Sequence, residues 1–242
     1  MQAGAVAGAG AAQKPASRGG LFLIIAGVVL IAVLLVVGAL GLLSYYNSQH
    51  AGGGSSNVGS GATATSATTT SNVIFQDALT SNTNGWSDDG ANCTFKNGSY
   101  QITNGYICFA PISGEITDAI VSVQVKQVSG PLTDPYGITV RHTSTGNFYN
   151  FDVASNGEWA FFIHKNGQAT RLHDYTTNAA IKTGLNQTNT LKVAMKGSTF
   201  TLYINGQLVG QVTDATFASG KVGLESSRPV ADFNTFEVDR NN

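Results

Sequence analysis

The sequence predicts an all-β fold, a two-sheet antiparallel sandwich of the jelly-roll type, preceded by one transmembrane helix. Two observations predict the sandwich: residues 73–242 consist of short runs of alternating apolar and polar residues, and Asn-Gly pairs separate these runs at regular intervals. A third observation, an uncharged apolar run over residues 21–43, predicts the helix. In a chain of 242 residues, this leaves one domain of about 170 residues, long enough for a hydrophobic core.

The first 43 residues are predicted to form a cytoplasmic tail and a membrane span. Residues 1–20 are rich in Ala and Gly, and we expect them to be disordered. A helix over Leu21–Leu43 would extend about 34 Å, enough to cross a hydrocarbon core of about 30 Å. Lys14 and Arg18 are the only charged residues before Asp77, and this positive-inside bias places the N-terminus in the cytoplasm. The folded domain is therefore expected outside the cell.

Two other interpretations of the apolar run are weaker. A cleaved signal peptide has an apolar core of about 7–15 residues followed by a small-x-small site, whereas this run is longer and lacks such a site. Gly20-Leu21-Phe22 resembles a prepilin cleavage site, but Ile25 stands where prepilins usually carry a glutamate. We therefore expect an uncleaved, single-pass anchor in the cell membrane.

Residues 44–72 are predicted to be a flexible linker. They are mostly Gly, Ser, Thr, Ala and Asn, with no hydrophobic pattern. A coil of this composition has an end-to-end distance of about 28 Å. Such a linker would hold the folded domain near the membrane and leave it free to turn.

Fourteen strand candidates follow from Val73 onwards, because alternating runs there end at turn residues. Asn-Gly pairs mark the turns at Asn97, Asn104, Asn156, Asn166 and Asn205, since both residues tolerate the positive φ of tight hairpins. The predicted strands are Val73–Asp77, Thr94–Lys96, Ser99–Thr103, Tyr106–Ala110, Ala119–Val128, Tyr136–His142, Asn147–Ala154, Glu158–His164, Ala169–Asp174, Thr190–Lys196, Thr199–Asn205, Gln207–Thr213, Lys221–Glu225 and Phe233–Asp239.

One hairpin allows the register to be predicted. A three-residue loop, Ser155-Asn156-Gly157 with Gly157 in the bulge position, groups all the apolar residues of the two strands on one face. Those residues are Tyr149, Phe151, Val153, Trp159, Phe161 and Ile163. The same alternation sends Val121, Val123, Val125, Leu191, Val193, Met195, Phe200, Leu202 and Ile204 into the core.

The charge distribution excludes nucleic-acid binding. All 14 acidic residues lie at or after Asp77, together with 11 of the 13 basic residues, so the C-terminal domain has a net charge of −3. A nucleic-acid surface needs clustered Lys and Arg to neutralise phosphates, and no such stripe is present in the sequence.

The region from Phe75 to Asp239 resembles the concanavalin A-like, or laminin G-like, jelly-roll domain of the 3-keto-disaccharide hydrolase type, which is found in bacterial single-pass membrane proteins. The matching segments are Phe75-Gln-Asp77, Trp86, Gly98-Ser-Tyr-Gln-Ile102, Tyr136-Gly-Ile-Thr-Val-Arg141, Phe148-Tyr-Asn-Phe-Asp-Val153, Thr190-Leu-Lys-Val193, Phe200-Thr-Leu-Tyr-Ile-Asn-Gly206, Asp214 and Gly220-Lys-Val-Gly-Leu224. Their order and spacing are typical of the fold and say little about activity. The family name implies an enzyme acting on oligosaccharides as one alternative.

The outward face of the central hairpin is the candidate ligand site. Sugars are bound by an aromatic platform with polar side chains around it, and this face offers both. The candidate residues are Arg141, Phe148, Asn150, Asp152, Glu158, Phe162 and His164. The alternative interpretation is a solvated outer sheet face without a ligand.

No catalytic residues are predicted. Glycoside hydrolysis needs two carboxyl groups facing one cleft. Glu237 and Asp239 form an i, i+2 pair, but Phe236 and Val238 should point inward and turn this pair towards water. No His or Cys cluster has the spacing of a zinc site, and no histidine lies in the context of a nucleophile triad.

Cys93 and Cys108 are predicted to form a disulfide, because both are expected on the oxidising side of the membrane. In a simple three-strand meander they would lie about 9.5 Å apart, beyond the limit of about 7 Å. We therefore expect Cys93 to lie in an irregular segment. Two free thiols are the alternative.

Structural calcium is a further expectation, since carboxylate oxygens are its preferred ligands, and Asp77 and Asp232 would supply two of them. No other cofactor is predicted. Together the observations predict a membrane-anchored extracellular module that binds carbohydrate or another surface ligand without catalysis. An oligosaccharide hydrolase and a ligand-free structural surface protein are the alternatives.

Overall fold

The structure is a computed structural model that describes residues 72–242. Within this range the chain forms 14 β-strands and no helix. The strands are β1 Val73–Asp77, β2 Cys93–Lys96, β3 Ser99–Ile102, β4 Tyr106–Phe109, β5 Ala119–Ser129, β6 Tyr136–Ser144, β7 Asn147–Val153, β8 Glu158–Lys165, β9 Gln168–Thr177, β10 Asn189–Lys196, β11 Thr199–Ile204, β12 Gln207–Thr213, β13 Lys221–Ser226 and β14 Val230–Arg240. Each predicted strand is present, with ends that differ by at most four residues.

The strands form two antiparallel sheets. The eight-stranded sheet has the order β12-β11-β10-β5-β14-β3-β2, with β1 paired to β14. The six-stranded sheet has the order β4-β13-β6-β7-β8-β9. This arrangement confirms the predicted two-sheet antiparallel sandwich.

The core lies between the two sheets and consists of the alternating apolar side chains of both. The residues predicted to point inward from β5, β10 and β11 are buried, with exposed fractions of 1% or less. Burial of each such side chain contributes about 1.5–3 kcal/mol to stability. The sandwich therefore rests on apolar contact between the sheets.

The predicted register of the β7–β8 hairpin is confirmed. Phe151 pairs with Phe161, and Val153 pairs with Trp159. Gly157 has a φ of +99°, as the bulge position of a three-residue loop requires. The side chains of Asn150, Asp152 and Phe162 consequently lie on the opposite, outward face.

The disulfide between Cys93 and Cys108 is present, and it joins the two sheets. Cys93 begins β2 in the eight-stranded sheet, whereas Cys108 lies in β4 of the six-stranded sheet, with a Cα–Cα distance of 6.2 Å. The prediction that Cys93 lies in an irregular segment is wrong. The turn at Asn104-Gly105 carries the chain from one sheet to the other, so both cysteines face the interior from opposite sheets.

The predicted tail and membrane span, residues 1–20 and 21–43, lie outside the described residues, as does the predicted linker, residues 44–72, except for its last residue. Among residues 72–242 no helix is long and apolar enough to cross a bilayer. The predicted domain start at Val73 coincides with the first residue of β1.

Candidate functional site

A groove crosses the outer face of the six-stranded sheet, the face turned away from the core. One cavity of about 340 Å³ is lined by Phe148, Asn150, Asp152, Phe162, His164 and Glu225, and Gly105, Ile107, Pro135 and Ser227 complete its walls. A second cavity of about 380 Å³ shares Phe148 and continues past Phe109 and His142. We call the two cavities together the outer groove. Each has the size of a small-ligand pocket.

An aromatic row runs along the outer groove. Its members, from β4 across to β9, are Phe109, His142, Phe148, His164, Phe162 and Tyr175. The Phe148 and His164 rings are stacked, with centroids 4.2 Å apart and planes 16° from parallel. Burial lowers the pKa of both His142 and His164, so both rings are neutral at neutral pH. The row therefore offers an uncharged surface on which a sugar ring can stack.

A carboxyl pair lies at the floor of the groove, with Asp152 buried and Glu225 half-buried. Asp152 on β7 and Glu225 on β13 both pair with Gly137 on the intervening strand β6. Their side chains point to the outer face on either side of Gly137 and lie within hydrogen-bonding reach of each other. Asn150 also hydrogen-bonds to Glu225, and its own Oδ1 accepts a hydrogen bond of 3.0 Å from Thr139 Oγ1.

The carboxyl pair keeps a proton at pH values at which an exposed carboxyl group has already released its own. Burial is the main cause that raises the pKa of both groups, and repulsion from Asp152 raises the pKa of Glu225 further. The two carboxyl groups share this proton, so that one of them donates a hydrogen bond to the other. The floor of the groove offers a donor and an acceptor side by side.

Replacing Glu225 with glutamine is expected to stabilise the domain at alkaline pH. The folded pair keeps a proton that the unfolded chain releases above about pH 4, so the free energy of unfolding falls as the pH rises towards the raised pKa. Glutamine keeps a donor and cannot ionise, which removes this loss. At pH 8 we expect the Tm of E225Q to exceed that of the wild type. Each kcal/mol by which the substitution raises the free energy of unfolding corresponds to about 2–4 °C, and at pH 4 we expect little difference.

The matched control is E237Q, which removes one acid on the eight-stranded sheet. Thermal unfolding of both variants between pH 4 and pH 9 measures the effect. A Tm for E225Q that follows the wild-type curve at every pH would contradict the shared proton.

Five of the seven predicted ligand-face residues line one cavity of the groove: Phe148, Asn150, Asp152, Phe162 and His164. Glu158 lies on the same face at the beginning of β8, outside the cavity lining, and its carboxylate accepts a hydrogen bond of 2.5 Å from Asn156 Nδ2. Ligand binding by these residues stays a prediction.

Arg141 does not lie in the groove. Its backbone has a φ of +50°, and the β6–β7 register shifts between Val140 and Ser144, which reverses the alternation at this point. The guanidinium is 1% exposed; it donates hydrogen bonds to the Phe217 and Gly197 carbonyl oxygens and lies 4.9 Å from the Phe200 ring centroid. The prediction that Arg141 faces the ligand site is corrected accordingly.

The proposed calcium ligands lie in separate cavities. Asp77 lines a cavity of about 420 Å³ beside β1, and both of its carboxylate oxygens accept hydrogen bonds, from Leu79 N, Asn84 Nδ2 and Trp86 Nε1. Asp232 lines another and lies 3.7 Å from Lys126 Nζ. Among the described residues no group of three or more His, Cys, Asp or Glu side chains is placed to hold a metal. Calcium at these residues stays a prediction.

Sequence reasoning missed Glu225 and the outer members of the aromatic row. In β13, Val222 and Leu224 point inward, so alternation places Glu225 on the outer face, and this pattern can be seen in the sequence. Its meeting with Asp152 depends on β13 lying next to β6, a pairing between segments about 80 residues apart in the chain.

The residues that form the outer groove and the core around it fall largely within a known family pattern. The Laminin_G_3 family model, described as the concanavalin A-like lectin/glucanases superfamily, matches residues 101–223, just over half of the chain. The chain belongs to this superfamily. The superfamily assignment agrees with the two-sheet sandwich and covers β4 to β12 together with the first part of β13.

Solved structures share the superfamily fold at low identity. The carbohydrate-binding module CBM66 from Bacillus subtilis is 18% identical, with a TM-score of 0.53 over 70% of this chain and 98% of that one. A protein of unknown function with a galectin-like fold from Bacillus subtilis is 13% identical, with a TM-score of 0.53 over 69% and 96%. The xylan β-1,4-xylosidase from Bacillus halodurans is 14% identical, with a TM-score of 0.53 over 68% of this chain and 39% of the enzyme.

At these identities the likeness shows the fold alone. No curated protein has a significant match to the chain.

Proposed function

We propose that this protein is a membrane-anchored extracellular module that binds carbohydrate in the outer groove without catalysis. The single observation that carries the proposal is the aromatic row beside the Asp152–Glu225 pair, which combines a stacking surface with a hydrogen-bond donor and acceptor. A fold shared with a carbohydrate-binding module is consistent with it. The groove extends over two cavities, which favours an oligosaccharide over a single sugar.

Phe162→Ala is expected to weaken glycan binding about tenfold, equivalent to about 1.4 kcal/mol. Phe162 is half-buried and its ring lines the groove, so its removal takes away stacking surface at modest cost to the core. The measurement is a glycan array with the full-length chain in detergent micelles, followed by titration of the glycans that bind.

The control for this variant is Leu208→Ala. Leu208 is 56% exposed on β12, at the edge of the other sheet, so its loss removes an exposed apolar side chain away from the groove. Equal binding by F162A, L208A and the wild type would place the ligand elsewhere, and binding of no glycan would overturn the proposal.

The absence of catalysis is supported by the geometry of the carboxyl pair. Glycoside hydrolases hold their two carboxyl groups about 5–10 Å apart, with space for the reacting bond. Asp152 and Glu225 are hydrogen-bonded to each other, which leaves no space for a sugar linkage between them. The resemblance to the 3-keto-disaccharide hydrolase type keeps hydrolysis as the second candidate. Incubation with an oligosaccharide panel separates the two: binding raises Tm without products, whereas a hydrolase releases products.

The anchored, extracellular location is supported by the uncharged run over residues 21–43 and the basic residues before it. Protease treatment of intact cells tests it. We expect the sandwich to be cleaved from the cell surface, and its full protection would overturn the proposed location.

A further inference from the structure

The carboxyl pair at the floor of the outer groove, with Asp152 buried and Glu225 half-buried, has no ion-pair partner among the described residues. Asp152 is 8% exposed, and within residues 72–242 no amide, hydroxyl or cationic group donates a hydrogen bond to its Oδ1 atom. The five ion pairs of the described chain use other acids, namely Asp118, Asp134, Asp174 and Asp232. Taking a carboxylate out of water without a cation is costly, and here a retained proton takes the place of that cation.

The walls of the same cavity suit a cation. Phe148, Phe162 and His164 present ring surfaces around the pair, and ring faces attract ammonium and guanidinium groups electrostatically. The chain already uses parts of the aromatic row in this way. Lys221 Nζ lies 5.9 Å from the Phe109 ring centroid at one end, and Arg171 Cζ lies 5.8 Å from that of Tyr175 at the other end and 5.9 Å from that of Phe162. Phe148, which lines the cavity from the middle of the row, has no such cation among the described residues.

The pair also has fixed geometry. Asn150 is 5% exposed and holds Glu225 from one side, and the strands that carry the two carboxyl groups both pair with β6 at Gly137. A ligand that enters the cavity therefore meets two carboxyl groups at fixed positions. An ammonium group has three donors and a full positive charge, so it matches both carboxyl groups when the retained proton leaves.

We propose that the outer groove selects glycans that carry a free amino group, whose ammonium binds Asp152 and Glu225 beside the rings of Phe148 and Phe162. This inference rests on the proposed glycan-binding function and specifies its ligand class. Neutral and N-acetylated sugars lack the positive charge, so they leave the proton in place and bind more weakly. Anionic sugars meet the carboxylate and are disfavoured.

Proton exchange on binding depends on the other charged groups around the pair. Burial raises the pKa of Tyr175; the nearby acids Asp152, Glu225 and Glu158 raise it further, and Arg171 lowers it. The titratable and charged groups that face the groove from the surrounding elements include Tyr106 on β4, His142 on β6, Glu158 and His164 on β8, Arg171 and Tyr175 on β9 and Lys221 on β13, together with the Arg228–Asp134 ion pair in the loops beside Ser227 and Pro135. Both histidines are neutral at neutral pH, so the proton released at that pH comes from the carboxyl pair.

The test is titration calorimetry on the full-length chain in detergent micelles, in two buffers of different ionisation enthalpy. The probes are a glucosamine tetramer, its fully N-acetylated counterpart, a glucose tetramer and a lysine tetramer. We expect the glucosamine tetramer to bind at least tenfold more tightly than the two uncharged sugars and to release up to about one proton per site at pH 7. E225Q and D152N should reduce this preference to below threefold, whereas E237Q should retain it.

The outcomes separate this inference from the proposed function. Equal affinity for charged and uncharged tetramers overturns the inference and leaves glycan binding in place. Binding of no glycan overturns both. A lysine tetramer that binds as tightly as the glucosamine tetramer, with the same loss in E225Q, shows ammonium recognition without a sugar and overturns the choice of ligand class.

Discussion

Replacing Gly137 with alanine is expected to destabilise the domain by at least about 3 kcal/mol and to abolish ligand binding in the outer groove. A Cβ atom at this position would lie 1.9 Å from the carbonyl oxygen of Phe151 and 2.9 Å from its carbon. The obstacle is the backbone of β7, which cannot rotate away as a side chain does, so β6 and β7 would have to separate in the middle of the sheet. The same movement would pull Asp152 away from Glu225.

Thermal unfolding and glycan titration of G137A measure the two effects. The control is G98A, because a Cβ at Gly98 meets no atom within 4 Å. Its φ of +73° alone makes alanine unfavourable, by about 1–2 kcal/mol. If G137A unfolds no earlier than G98A, close packing of β6 against β7 does not require glycine, and the steric explanation fails.

Removing the disulfide is expected to cost about 3 kcal/mol of stability, and C93A/C108A is the variant that tests it. The two cysteines are 15 residues apart in sequence, and the bond between them closes a loop that restricts the unfolded chain. Alanine suits both positions, because Cys93 is 4% exposed and Cys108 is 1% exposed. For a domain of this size the loss corresponds to a fall in Tm of about 6–12 °C.

The disulfide also helps to hold one wall of the outer groove in place. Cys108 lies in β4, a strand of four residues at the edge of the six-stranded sheet, and its neighbour Ile107 pairs with Glu225. We therefore expect C93A/C108A to weaken glycan binding as well as stability. Reductant should lower the Tm of the wild type to that of the variant and leave the variant unchanged. A wild-type Tm that does not respond to reductant would show that the bond adds no stability.

Local alternation was enough to predict the strands and the register of the central hairpin. Tyr149, Phe151 and Val153 can share an apolar face with Trp159, Phe161 and Ile163 only if three residues form the loop. Side chains alternate between the two faces of a strand, so a wrong register would bury Asp152 in the core. The same two-residue alternation predicted the outward positions of Phe148, Asn150, Phe162 and His164.

Exceptions to the alternation could not be predicted. Arg141 lies in a register shift with a positive φ, and this one irregularity turns its guanidinium away from the groove towards the Phe217 and Gly197 carbonyl oxygens. The sequence around it alternates as in any strand. An irregular backbone at a single residue depends on the segments packed against it. At Arg141 that segment contains Gly220, where a Cβ atom would lie 2.5 Å from the Arg141 carbonyl carbon.

The all-β class, the position of each strand and the face on which most side chains lie can be predicted from the residues, because these features depend on contacts between near neighbours in the chain. Which strands lie side by side became known from the fold. That choice places Glu225 against Asp152 across Gly137 and sends Cys93 and Cys108 to different sheets. Pairing between distant strands depends on the arrangement of the whole chain in the two sheets, so it cannot be predicted from a local pattern of residues.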